Sequence, residues 1–227
     1  MFKGCHFPSE VILETVHYYL AYKLSYREIE DIQLERGVVV DHATINRWVI
    51  KFTPVLEHRA RRRKKPVSDS WRMDETYIKV KGKWVYYYRA VDKFGNVIDY
   101  YISPNRDEAA AKAFLNKAIS QNGLPNKVVI DGSKSNYAAI DSMNVQLWLT
   151  GYFMLSLVEI LDIKYLNNIV EQSHRWVKQK TRQALGWKST EGALASLHGR
   201  EVWTMLKQAQ IDIVGQTAFE RFYALAV

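Results

Sequence analysis

Cysteine is almost absent: Cys5 is the single one in a chain of 227 residues. That excludes a disulfide framework and a zinc site built on thiolates. A lone thiol beside His6 reads as inert. No apolar run opens the chain either; 1–10 lacks the hydrophobic centre of a secretory signal. The longest apolar tract, 145–161, is broken by Gln146, Thr150, Gly151, Ser156 and Glu159. It suits a buried helix or strand pair better than a membrane span. Internal repeats are lacking, and low complexity is confined to one basic run. Acidic residues fall short of basic ones, 24 against 32, for a net charge of +8. The shortage favours a polyanionic partner; with no apolar tract suited to a span, no membrane is expected, and the cytoplasm is the expected compartment. Apolar residues at 48% and aromatics at 13% are ample for a core. The length allows one large domain, or a medium domain with a small one attached.

The first 65 residues read as short helices. Over 9–22, Val11, Ile12, Val16, Tyr19 and Leu20 form a stripe. Ser25 and Glu28 make a capping box that opens a second helix, ending near Gly37. Asp41 caps a third, in which Ile45, Trp48, Val49 and Phe52 point inward. Thr53-Pro54 is expected to restart a helix there. Three short helices suggest a helix-turn-helix. The outward residues of the third, His42, Thr44, Asn46, Arg47 and Lys51, are then the candidates for base and phosphate contacts. A small three-helix bundle with a polar outer face fits the same pattern. Next comes a dense basic run, Arg59, Arg61, Arg62, Arg63, Lys64 and Lys65, which Pro66 ends. Like charges so close resist packing, so an exposed arm that follows a phosphate backbone is expected.

Alternating β-branched and aromatic residues then predict strands over 71–80, 83–91 and 97–103, an antiparallel meander. An Ala-rich helix over 107–121 and a short apolar strand over 127–130 follow. A helical and apolar region, a strand over 158–163 and a helix over 164–182 complete a mixed sheet with helices on its faces. On that last helix, Glu171, His174, Arg175, Lys178 and Arg182 fall on one side. Leu166, Ile169, Val170, Trp176, Val177 and Ala184 fall on the other, with Lys180 breaking the pattern. The basic side suits an anion; an ordinary core helix with a solvated face reads the same way. Beyond it, 186–207 reads as helical, interrupted at His198 and Gly199, with Trp187 and Trp203 as core residues. The segment 211–227 reads as a terminal helix or tail.

Candidate acids are Asp74, mid-strand in an apolar pattern, Asp131, at a strand end, and Glu171. If the first strand is central and the fourth lies beside it, Asp74 and Asp131 are neighbours, and the last helix can bring Glu171 over them. Converging carboxylates repel and call for cations. Oxygen donors suit Mg²⁺ or Mn²⁺, and two such ions about 4 Å apart drive phosphoryl transfer. Asp92, in a turn, and Asp99 are rival acids, and Glu75 is expected on the opposite face from Asp74.

Three segments carry a wider resemblance: W-R-M-D-E-T-Y-I-K-V-K-G-K-W-V-Y-Y-Y-R-A-V-D-K-F-G from Trp71, V-V-I-D-G from Val128 and K-Y-L-N-N-I-V-E-Q-S-H-R-W-V-K from Lys164. With T-I-N-R-W-V at Thr44 and F-Y-A-L-A at Phe222, they resemble the IS6 family of insertion-sequence DDE transposases over nearly the whole chain. The resemblance implies an α/β, RNase H-like catalytic fold preceded by a small all-α helix-turn-helix domain. It implies a metal triad of Asp74, Asp131 and Glu171, with Lys178 as the basic residue that follows the Glu. The interval from Asp131 to Glu171 is wider than the family usually has, with the excess in 145–161, and Ser173 stands where the family has Asp. The expected organisation is a helix-turn-helix domain over 1–58, a basic linker over 59–69, a catalytic domain over 70–185 and a helical extension over 186–227. The implied activity is recognition of terminal inverted repeats, cleavage to free a 3′-OH and its attack on target DNA, in replicative, cointegrate-forming transposition. Expected partners are two divalent ions, Mg²⁺ or Mn²⁺, double-stranded DNA, and further copies of the chain as a homodimer or higher homo-oligomer; the expected setting is the nucleoid of a prokaryote. DNA contacts are expected from His174, Arg175 and Arg182 as well as from the N-terminal residues. A DNA-binding regulator with a non-catalytic second domain, or a nuclease that cuts without joining, are the alternatives.

Overall fold

A computed structural model describes residues 2, 4–149, 157–162 and 164–226. The described chain falls into two compact units. One gathers Met1–Lys65, Val80–Gly82 and Gln179–Val227; the other holds Pro66–Lys79 and Lys83–Lys178.

The first unit is helical. Helix α1 spans Ser9–Ala21 and α2 spans Tyr26–Glu35. The Ser25 capping box closes in both directions: Glu28 N donates to Ser25 Oγ at 3.2 Å, and Ser25 N to Glu28 Oε2 at 2.6 Å. Helix α3 spans His42–Arg62 and starts where Thr44 N donates to Asp41 Oδ1 at 2.9 Å. It does not restart at Pro54, as the sequence suggests; one helix runs through. Ile45, Trp48, Val49, Phe52, Leu56 and Ala60 form an unbroken buried seam across the proline. Burial along that seam outweighs the hydrogen bond that proline removes.

The same seam draws the basic run into the structure, where an open arm is expected. Arg59 donates to the Leu225 carbonyl at 2.9 Å, and Arg61 pairs with Glu57 at 2.8 Å. Lys65 N donates to the Gln210 carbonyl at 2.8 Å, and Asp212 N to the Arg63 carbonyl at 2.7 Å. Helix α7, Thr190–Lys207, is capped by Ser189 and packs against α3, and α8 spans Ala218–Ala226. Gly199 does not interrupt α7. A methyl group there would collide with Leu20 of α1, so the glycine permits a close helix crossing. Trp187 and Trp203 are core residues, as expected.

The second unit holds the sheet. Its strands are β1 (Ser70–Val80), β2 (Lys83–Asp92), β3 (Val97–Ser103), β4 (Lys127–Ile130) and β5 (Glu159–Asp162). Helix α4 spans Glu108–Asn122, α5 Lys134–Leu149 and α6 Asn168–Gln183, the last preceded by a 3₁₀ turn over Lys164–Asn167. Residues of α6 beyond Lys178, and Val80 of β1, cluster with the first unit. The five strands lie in the order β3-β2-β1-β4-β5. Strands β2 and β3 pair antiparallel, whereas β4 is parallel to both neighbours. This is the RNase H-like arrangement: a meander at one edge and parallel strands reached through helices at the other. Trp71, Met73, Tyr88, Ile98, Phe114, Val128, Ile130 and Ile140 build the core under α4 and α5. The expected apolar region over 145–161 lies partly outside the described residues; its start, through Leu149, belongs to α5.

Candidate active site

Ladder register brings the first two acids together. Ser70, Trp71 and Arg72 of β1 face Lys127, Val128 and Val129 of β4 in parallel. The same register, carried two residues on, sets Asp74 beside Asp131, just past the end of β4. Asp74, Glu75 and Asp131 each present a carboxylate oxygen, and these atoms lie within 4.8 Å of one another.

Glu75 is a member that the alternation of β1 does not reveal. It is expected on the opposite face from Asp74, yet one of its carboxylate oxygens lies within 4.8 Å of those of Asp74 and Asp131. The only sequence signal is that two acids are adjacent in an apolar strand. Two groups hold Glu75: Arg106 Nε lies 2.5 Å from Oε1, and Asn136 Nδ2 donates to Oε2 at 2.8 Å. Asn136 is fully buried.

Burial pushes the Asp131 carboxyl above its ordinary range, and the charges of Asp74 and then Glu75 push it further. That strain is what a bound cation relieves. The donors are all carboxylate oxygens, which fits a hard divalent ion such as Mg²⁺ or Mn²⁺. The rival acids are spent on structure. Asp92 is fully buried and accepts from the backbone of Phe94 and Asn96, both at 2.9 Å, while Asp99 is paired with Lys117 at 3.0 Å.

Helix α6 reaches the site differently from its sequence pattern. His174 is not on an outward basic face. It is 1% exposed, and its Nδ1 lies 3.0 Å from Asp74 Oδ2. Val170, His174 and Val177 form the buried seam, while Ile169, assigned to the packed side, is 42% exposed. The imidazole gains a carboxylate partner inside, and that decides the rotation of the helix. Lys180 likewise turns inward in the first unit, where its ammonium donates to the Leu24 carbonyl and lies 4.1 Å from the Tyr19 ring centroid. Burial lowers its pKa to about 8.

Glu171 is exposed, one turn before His174 on α6, and among the described residues it stands outside the group of three acids. Lys178, Arg175 and Arg182 are exposed. On α3, His42, Arg47 and Lys51 are exposed, and Thr44 and Asn46 half-buried. His42 pairs with Glu30 at 2.8 Å. Of the basic run, Arg62, Arg63 and Lys65 are exposed; Arg59, Arg61 and Lys64 are half-buried.

A sheet of this order, with acids converging from two adjacent parallel strands, defines an RNase H-like polynucleotidyl transferase core. The DDE_Tnp_IS240 family model, described as a DDE domain, matches residues 68–210. The transposase for insertion sequence-like element IS431mec of Staphylococcus aureus strain Mu50 is 40% identical over 201 residues, covering 88% of this chain and 85% of that protein. The transposase for insertion sequence element IS257 in transposon Tn4003, also of Staphylococcus aureus, matches with the same identity and coverage. The chain belongs to the IS6 family of insertion-sequence DDE transposases. Among solved structures, the HTLV-2 integrase catalytic core domain in complex with magnesium matches at 16% identity and a TM-score of 0.44, over 70% of this chain and 97% of that one. A chain of the simian T-cell lymphotropic virus intasome matches at 16% identity and a TM-score of 0.42, over 71% and 56%.

Proposed function

We propose that this transposase binds the terminal inverted repeats of its own element, cleaves the DNA at each end and joins the freed 3′-OH to target DNA. The observation that carries the reading is the convergence of Asp74, Glu75 and Asp131, whose carboxylate oxygens lie within 4.8 Å of one another, a crowding of like charge that a cation would relieve. Asp74 and Asp131 are the residues that would hold divalent ions, with Glu171 as the third ligand, contributed by α6. Two bound ions would activate the attacking oxygen and stabilise the leaving one. Glu75, locked by Arg106 and Asn136, orders the wall of the site and adds negative potential beside Asp131.

The exposed cations have a different task, which is to hold the DNA backbone. Lys178, Arg175 and Arg182 on α6 supply phosphate contacts. Arg62, Arg63 and Lys65 do so at the end of α3, and the outward residues of α3, from His42 to Lys51, read base edges. The proposed division of labour is a reading domain in the first 58 residues, a basic segment over 59–69, a catalytic domain over 70–185 and a C-terminal helical part over 186–227 that packs in the same unit as the reading domain. Joining without excision of the second strand makes the reaction replicative and its product a cointegrate. Two element ends must be held together, which calls for a homodimer or a larger homo-oligomer on DNA. Among the described residues no helix is long and apolar enough to cross a membrane, and the proposed setting is the prokaryotic cytoplasm, at the nucleoid.

The test is incubation of the full chain with DNA carrying the native element ends, with and without Mg²⁺, scored for cleavage and for joining. Joined products that require the ion are expected. Nicks without joining would indicate a nuclease, and binding with no cleavage in either Mg²⁺ or Mn²⁺ would indicate a regulator.

A further inference from the structure

His174 belongs neither to the group of three acids nor to the exposed cations, yet it is almost wholly buried against the site. Its Nδ1 lies 3.0 Å from Asp74 Oδ2. A carboxylate only accepts, so the hydrogen of this bond sits on Nδ1. Nε2 is buried and has no hydrogen-bond partner among the described residues. The ring meets Tyr87 edge-on, with centroids 6.3 Å apart. One residue before Asp74, the Met73 carbonyl accepts from Asn167 Nδ2 at 3.2 Å, and Asn167, just before α6, is fully buried. The start of α6 therefore grips β1 at two successive residues, by backbone at Met73 and by side chain at Asp74.

We propose that His174 is a positioning residue for the metal-dependent reaction. By holding Oδ2 it selects the rotamer in which the Asp74 carboxylate faces Asp131, and it leaves the remaining lone pairs for a cation. The same bond ties the helix that carries Glu171, one turn earlier, to the strand that carries Asp74. A ligand carboxylate fixed in this way needs no reordering when an ion arrives, and outer partners of this kind typically contribute about 10–100-fold in metal affinity. The proposal rests on the reading of Asp74 as a metal ligand.

Mn²⁺ is the probe, titrated into the full-length protein without DNA and followed by the paramagnetic resonance signal of the free ion. His174→Asn keeps a donor near the place of Nδ1. His174→Gln moves the donor away, and His174→Leu removes it. Affinity is expected to fall about 10–100-fold in His174→Leu and His174→Gln and to stay within a few-fold of wild type in His174→Asn. Melting without metal reports on folding, and His174→Gln carries the test if His174→Leu does not fold. In an Asp74→Asn background, replacing His174 should cause no further loss. Wild-type affinity in both His174→Gln and His174→Leu overturns the proposal. So does an equal loss in His174→Asn with its fold intact, since the imidazole is then itself a ligand. Absence of Mn²⁺ binding in the wild type overturns the metal-site reading and this one with it, whereas wild-type binding that is indifferent to residue 174 overturns this one alone.

Discussion

At the scale of single residues, the protein contains two kinds of buried charge problem. Asp131 is destabilised as an anion by burial and by its neighbours Asp74 and Glu75. Asp74→Asn, Asp131→Asn and Glu171→Gln are each expected to lower strand cleavage by at least ~10²-fold and to leave end binding nearly intact, as read by gel shift and cleavage on the same DNA. A variant that still cleaves in Mg²⁺ removes its residue from the ligand set. His17 is the opposite case. It is buried among Tyr18, Tyr22, Trp203, Phe219 and Phe222, with neither ring nitrogen hydrogen-bonded among the described residues, and burial lowers its pKa to about 4. The folded state then resists a proton that the unfolded chain takes up near pH 6.5. The stability is complete above that value and drains away as pH falls towards 4, by roughly 3 kcal/mol. Urea unfolding at pH 7 and pH 4.5 should show this loss in the wild type and much less of it in His17→Phe.

At the scale of elements, boundaries were legible wherever a local cap declares them. Ser25 with Glu28, Asp41 and Asp107 all cap helices that the sequence predicts. Ser25→Ala should cost about 1 kcal/mol in thermal or chemical unfolding. Faces were less legible than boundaries. The pattern of α6 places His174 with the cations and Ile169 with the core, and the structure reverses both. Periodicity counts polarity, whereas a buried histidine with a carboxylate partner behaves as a core residue. Gly199 reads as a break in sequence for a similar reason: intrinsic propensity cannot see Leu20 on the neighbouring helix. Gly199→Ala should therefore destabilise the protein, by about 1–3 kcal/mol, although alanine is the better helix former. A gain in stability would mean that the α1–α7 crossing is loose.

At the scale of the whole molecule, the first unit is assembled from the two ends of the chain. Residues up to Lys65 and those from Gln179 share one core, and α3 and α7 are its main contact. The Arg59–Lys65 run is thus anchored to the C-terminal segment. Truncation after Lys207 removes the Leu225 carbonyl that Arg59 uses and the residues around Asp212 that Arg63 bonds. It should lower the melting temperature of the helical unit, not simply trim a tail. The net charge of +8 predicts DNA binding that weakens steeply with salt, and Arg62→Ala or Arg63→Ala should each reduce the slope of log affinity against log salt by about 1. An unchanged slope would place those residues off the DNA.

What the sequence by itself determined is whatever depends on near neighbours along the chain. Strand alternation, helix caps, the excess of positive charge, and the motifs that identify the family are all written within a few tens of residues. Asp74 and Asp131 are neighbours if the first strand is central and the fourth lies beside it, and the family resemblance selects them over Asp92 and Asp99. Only the tertiary structure decided that Glu75 joins them, that His174 turns inward to hold Asp74, and that the basic run is bound to the end of the chain. Each of these depends on a partner distant in sequence, and a buried polar group takes its position from the group that satisfies it.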